Sequence, residues 1–165
     1  MADISSNFLG IKSPNPFWLA SAPPTDKEIN VMRAFEAGWG GVVWKTLGED
    51  PPIVNVHGPR YSTILSSDRK VIGFNNIELI SDRPLKQNLE EMKRVKRAFP
   101  DRALIASLMV PCNEDSWRNI LPQVEDTGCD GLELNFGCPH GMSERGMGAA
   151  VGQVPEYIQM VTEWC

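Results

Sequence analysis

Asn135 and Cys138 stand three residues apart in Glu133-Leu-Asn-Phe-Gly-Cys-Pro-His140. Pro139 disfavours a helical backbone at the residue before it, so the thiol is held in an extended or turn geometry where an apolar strand opens into a loop. A thiol is mostly protonated at neutral pH; it could give a proton to a reacting carbon and, as thiolate, take one back. Taken alone, an isolated cysteine reads first as an inert, buried small hydrophobe. Asn135 offers donors and an acceptor together, which suits a ring with alternating N–H and C=O groups, or else a local backbone turn. Lys45 directly follows Val42-Val43-Trp44. A charge there is costly unless a bound anion or electron-rich ring rewards it, or unless the side chain snorkels to solvent.

These residues need elements to position them, and the chain alternates short β-rich runs with amphipathic helical runs. Phe17-Trp-Leu-Ala20 predicts a first strand. Thr25-Asp-Lys-Glu28 reads as a capping box before a helix whose apolar face is Ile29, Met32 and Phe35, ending at Gly38. Gly41-Val-Val-Trp-Lys-Thr46 suits a parallel strand buried on both faces. Leu85, Leu89, Met92, Val95 and Phe99 form one helical stripe. Ala103 to Met109 predicts a third strand, and Trp117, Ile120, Leu121 and Val124 the next helix, which Pro122 should kink or confine to a late start. Leu132-Glu-Leu-Asn-Phe136 is the fourth strand. Pro155 opens a last helix carrying Tyr157, Val161 and Trp164.

Four β-then-α units in series, with no hairpin signal, imply an α/β fold of parallel strands joined by crossover helices. The carboxyl ends of such strands hold the site. Ser21, Lys45 with Thr46, Ser107, and Asn135 with Cys138 all fall there. A (β/α)₈ barrel needs eight units, so residues 1–165 read as one partial domain, the N-terminal half of a TIM barrel with its C-terminal half absent. The stretch from Leu47 to Arg83 is too long for a plain connection and should have structure of its own, with a strand at Ile53–Val56.

The bulk numbers close off other classes. The chain has 165 residues, 42% hydrophobic and 22% charged, enough for one globular domain with a real core. Its formal net charge of -5 argues against nucleic acid as a partner. No apolar run reaches membrane-spanning length and the N-terminus lacks signal-peptide regions, which makes the cytoplasm the expected location. Cys112, Cys129, Cys138 and Cys165 are spaced too irregularly for a zinc or iron–sulfur motif. Gly141 to Gly152 is glycine-rich but lacks the spacing of a phosphate-binding fingerprint; it suits a loop that folds over a site.

Taken together, Asn15-Pro-Phe-Trp-Leu-Ala-Ser21, Gly38-Trp-Gly-Gly-Val-Val-Trp-Lys-Thr46, Ile72-Gly-Phe-Asn-Asn-Ile-Glu78 and Glu133-Leu-Asn-Phe-Gly-Cys-Pro-His-Gly-Met142 resemble the FMN barrel of the NAD-dependent dihydropyrimidine dehydrogenases. The resemblance extends more loosely to the dihydroorotate dehydrogenases of the same superfamily. It implies a flavoprotein oxidoreductase that reduces the C5=C6 bond of uracil or thymine. Ala20, Ser21, Lys45 and Thr46 would lie against FMN, with Ser107 a further contact. Asn76 and Asn135 would bind the pyrimidine, and Cys138 would be the proton donor. Gly137 departs from the family pattern, where a small hydroxyl residue commonly precedes the cysteine, and His140 favours the dihydropyrimidine branch. The resemblance also implies iron–sulfur clusters and an NAD- and FAD-handling partner, neither of which has a motif here. An open half-barrel should oligomerise or self-associate, and a non-catalytic assembly module is the alternative reading.

Overall fold

The computed structural model describes residues 2–52, 61–76, 79–139 and 145–165. Its centre is a four-stranded parallel sheet. Strands β3 (Trp18–Leu19), β4 (Gly41–Leu47), β7 (Ala103–Leu108) and β8 (Gly131–Leu134) lie side by side in chain order. The pairings Leu19↔Val42, Val42↔Leu104 and Ala106↔Leu132 set the register. Helices α1 (Glu28–Glu36), α2 (Leu85–Ala98), α3 (Glu114–Glu125) and α5 (Pro155–Trp164) follow these strands, with a single turn of helix α4 (Ala149–Gly152) before the last. This is the repeating β-then-α arrangement of a partial (β/α) barrel, as the alternation of apolar runs predicts.

The core follows from sequence pattern with one exception. Every residue of β7 is buried, as expected for a strand covered on both faces. Leu85, Leu89, Met92 and Val95 of α2 are buried against it together with Trp44, Trp117, Ile120 and Val124. Helix α1 instead buries Val31, Ala34 and Phe35 and leaves Ile29 exposed, a rotation of the expected face. Phe35 belongs to both stripes, while Ile29 lies on the far side of the helix from Val31, and only packing on the sheet selects between the two.

Helix ends show the same division. Gly38, at φ 101°, closes α1 as expected: Gly38 N–H donates to Phe35 O and Trp39 N–H to Ala34 O, the paired bonds of a glycine-terminated helix. The capping box is not present. Thr25 lies in a 3₁₀ turn (Pro23–Thr25), where its buried hydroxyl bonds to the backbone of Ala20 and Ala22. The Glu28 N–H is capped at 2.9 Å by the carboxylate of Glu91, from α2. Helix α3 begins at Glu114, where the Asn113 side chain accepts from Ser116 N–H at 3.2 Å, and Pro122 falls in its last turn. The proline therefore neither delays the start nor stops the helix early; near the end it costs only the bond its N–H would have made.

Two antiparallel hairpins lie outside the sheet, contrary to the expectation of none. β1 (Ser6–Phe8) and β2 (Ile11–Ser13) sit near the amino ends of the parallel strands, where Phe8 meets Trp18 edge-on and Ile11 approaches Gly131. β5 (Tyr61–Leu65) and β6 (Val71–Asn76) form the second, with Tyr61 and Phe74 stacked. This is the structured excursion expected after Leu47; the strand expected at Ile53–Val56 lies outside the described residues. Short hairpins with exposed apolar residues carry little period-2 signal, which is why they were not legible. Among the described residues no helix is long and apolar enough to cross a membrane.

Candidate active site at the carboxyl ends of the strands

Four consecutive strands deliver their last residues to one place. β4 is buried nearly throughout, and its end presents Lys45 and Thr46, only 4% and 3% exposed. Ser21 follows β3, Ser107 is the fully buried penultimate residue of β7, and Asn135 is the first residue after β8. The fifth contributor is Asn76 at the end of β6, exposed on its hairpin. A cavity of about 160 Å³ is lined by Ser21, Lys45, Thr46, Asn76, Asn135 and Cys138, with Ala22, Pro23, Leu79 and Ile80 as its other walls. Of the residues expected to act together, Ala20 and Ser107 do not line it. Ala20 is exposed and gives its carbonyl to Thr25 Oγ1, while Ser107 lies behind Thr46.

The hydroxyls and the amide form one network. Thr46 Oγ1 is 2.8 Å from Ser107 Oγ and 3.1 Å from Ser21 Oγ, and Ser21 Oγ also accepts from the Thr46 backbone N–H at 3.0 Å. Asn135 Nδ2 donates to Thr46 Oγ1 at 2.9 Å and to Cys138 Sγ at 3.6 Å. Asn135 Oδ1 accepts from the backbone N–H groups of Gly137 and Cys138 at 3.1 and 3.3 Å. Asn135 thus closes the local turn and also lines the cavity.

The loop carrying Cys138 is fastened on its other side by residues that pattern reading missed. Ala149 N–H donates to Cys138 O at 3.2 Å, and a Cβ on Gly148 would lie 2.4 Å from that same oxygen. Ile80, Met109 and Met147 form a small buried cluster against which Cys138 and Leu79 pack. Ser81 N–H donates to Thr46 O at 2.8 Å, bringing the 79–81 segment to the end of β4. Only the glycine run at 146–152 hinted at this close approach. His140, and the part of the glycine-rich loop at 140–144, lie outside the described residues.

A larger open groove of about 930 Å³ lies at the opposite end of the sheet, between the β1–β2 hairpin and Lys96, Pro100 and Asp130. Its most prominent charges, Lys96 and Asp130, pair with each other at 2.7 Å, so it offers no comparable convergence of reactive groups.

No family model matches the chain. Curated relatives do. It is 47% identical over 168 residues to the dihydropyrimidine dehydrogenase (NADP(+)), chloroplastic, of Arabidopsis thaliana, covering 98% of this chain and 39% of that protein. It is 41% identical over 157 residues to the NAD-dependent dihydropyrimidine dehydrogenase subunit PreA of Escherichia coli K12, covering 95% and 37%. A third relative, the dihydroorotate dehydrogenase B (NAD(+)) catalytic subunit of Thermoplasma acidophilum, is 27% identical over 159 residues, covering 96% and 49%. The chain thus spans less than half the length of each.

Proposed function

By sequence this chain is a homologue of the dihydropyrimidine dehydrogenases along nearly its whole length, and from that premise we propose that it supplies the proton-donor side of a flavin-dependent pyrimidine oxidoreductase. The observation that carries the reading is the convergence of Cys138, Asn135 and buried Lys45 on one cavity at the carboxyl ends of parallel strands. The substrate would be uracil or thymine, reduced at C5=C6.

The donor set fits a flavin. Lys45, with the hydroxyls of Ser21 and Thr46, gives this wall a cation and polar hydrogens suited to an electron-rich isoalloxazine that gains negative charge on reduction. The 160 Å³ cavity is well below the roughly 300–1,000 Å³ of typical ligand pockets, so these residues form one wall of a larger site. FMN, when bound, would supply hydride chemistry toward the pyrimidine C6. Cys138 does the acid's part: its S–H bond breaks as a C5–H bond forms, leaving a thiolate. Asn76 and Asn135 orient the ring through its alternating N–H and C=O groups. The N–H···S contact at 3.6 Å is the longest of the Asn135 bonds and the one a substrate carbonyl would take over.

Electrons would reach the flavin through iron–sulfur clusters and an NAD-handling partner; the E. coli relative is itself named a subunit. A dihydroorotate-type activity is the second reading, favoured by the Thermoplasma relative. The test is titration of FMN into this chain, alone and joined to a candidate remainder of the protein, followed by flavin fluorescence. Uracil, thymine and orotate are then added. Saturable quenching with a response to uracil or thymine is expected; a response confined to orotate selects the second reading, and no flavin binding in any form defeats both.

A further inference from the structure

The hydrogen-bond directions around Thr46 can be read from valence alone. The Asn135 amide cannot be flipped, because its oxygen faces two backbone N–H donors, those of Gly137 and Cys138. Its nitrogen must therefore be the donor to Thr46 Oγ1, which uses one of that oxygen's two lone pairs. Ser21 and Ser107 share what remains, one lone pair and one hydrogen. Thr46 is thus saturated from three strands: its methyl and hydroxyl are locked, and it offers Asn135 a fixed acceptor 89 residues away in sequence. Asn135 in turn holds the Cys138 backbone N–H through its oxygen and the Cys138 sulfur through its nitrogen.

We infer that Thr46 is a positioning residue for Cys138, acting through the Asn135 amide. The inference rests on the reading of Cys138 as the proton donor, and it gives Thr46 a task separate from any flavin contact. Without the Thr46 acceptor the amide is held by its oxygen alone, through the Gly137 and Cys138 N–H groups, and its nitrogen loses the partner that sets its direction toward the Cys138 sulfur. The N–H contact to the thiol is then no longer fixed in direction. Thr46→Ser keeps the oxygen and should keep the arrangement; Thr46→Val keeps the shape and removes the oxygen.

The test reads Cys138 directly and needs neither flavin nor substrate, so its failure is distinct from failure of the proposed activity. Iodoacetamide alkylation of the chain is followed residue by residue by mass spectrometry at one pH. Cys129, whose thiol burial pushes its pKa up, serves as an internal monitor of general loosening. Thr46→Val should slow Cys138 alkylation at least threefold, since the N–H contact that orients the sulfur is no longer fixed, while Thr46→Ser stays within twofold of the parent and Cys129 is unchanged. Asn135→Ala should reproduce the slowing, and the Thr46→Val/Asn135→Ala pair should add nothing to it, because both act through one amide. Unaltered Cys138 alkylation in folded Thr46→Val, full additivity in the pair, or a parallel rise at Cys129 would each overturn the inference. If Thr46→Val does not fold, the parent chain decides by NMR: a slowly exchanging Asn135 side-chain proton with a cross-peak to the Thr46 methyl is expected, and its absence counts against the assignment.

Discussion

Asn135 Nδ2 lies 2.9 Å from Thr46 Oγ1, joining the end of the fourth parallel strand to the end of the second across the third. The bond makes the site part of the fold's own structure, and it has an energetic consequence besides the chemical one. Thr46→Val leaves Ser107, fully buried, and Asn135 without their shared partner. An expected loss of about 1–3 kcal/mol follows from stranding buried polar groups. Urea denaturation of the two variants checks it, and Thr46→Ser should lose under about 1 kcal/mol by the same reasoning.

Cys138→Ala separates chemistry from folding. The side chain packs partly against Met109 and Met147 and its loop is held by backbone bonds, so the fold should survive with a cost of about 1 kcal/mol or less, below that of a large core deletion. Flavin reduction in the flavin-loaded enzyme should persist while pyrimidine turnover falls by at least about 100-fold, the usual worth of a positioned acid. Steady-state assay beside single-turnover flavin reduction checks this; equal loss in both would remove Cys138 from the proton step.

Gly148→Ala should damage the same loop from the other side. The residue sits at φ 59° and ψ -126°, outside the regions open to L side chains, and its new Cβ would press on Cys138 O. A destabilisation of at least about 2 kcal/mol is expected from backbone strain alone, with altered Cys138 alkylation. A stability unchanged in thermal melts would show that residues 146–149 move away at little cost.

The Arg83–Glu91 pair should make stability pH-dependent. Burial raises the Glu91 carboxyl, but the Arg83 guanidinium and the Glu28 N–H outweigh it, and the net shift is below the ordinary value of 4.5. A depressed folded-state pKa stabilises at neutral pH, and that stabilisation is lost as pH falls from about 4.5 through the folded value. Glu91→Gln should therefore cost about 1–3 kcal/mol at pH 7. The difference from the parent should shrink as pH drops below that range. Denaturation midpoints at pH 7, 5 and 3.5 check the sign.

Asn88, fully buried in α2, accepts from Trp44 Nε1 at 3.2 Å and donates to Ser81 Oγ and to the carbonyls of Arg83 and Pro84. It ties the 81–84 segment, which directly follows the Leu79–Ile80 wall of the candidate site, to the core. Asn88→Leu should cost about 2–4 kcal/mol, several stranded partners exceeding one ordinary hydrogen bond. Chemical denaturation with Trp fluorescence measures it.

What could be read before folding was periodic or local. The α2 stripe, the buried run ending in Lys45 and Thr46, the glycine stop at Gly38 and the proline after Cys138 each depend on neighbours within one or two turns, so the α/β alternation and the strand-end residues were visible in the chain itself. Pattern could not choose the buried face of α1, because Ile29-Met32-Phe35 and Val31-Ala34-Phe35 are both helical stripes. Nor could it supply a cap for α1, which comes from Glu91, or the Leu79–Ile80 wall of the cavity. The four site motifs identified the groups but not their partners. That Asn135 spends its amide on Thr46 and on the backbone of Cys138, and that Ser107 stands behind Thr46 and outside the cavity lining, are decided by the register of strands far apart in sequence, since a hydrogen bond is fixed by a distance of about 3 Å that no one-dimensional spacing encodes.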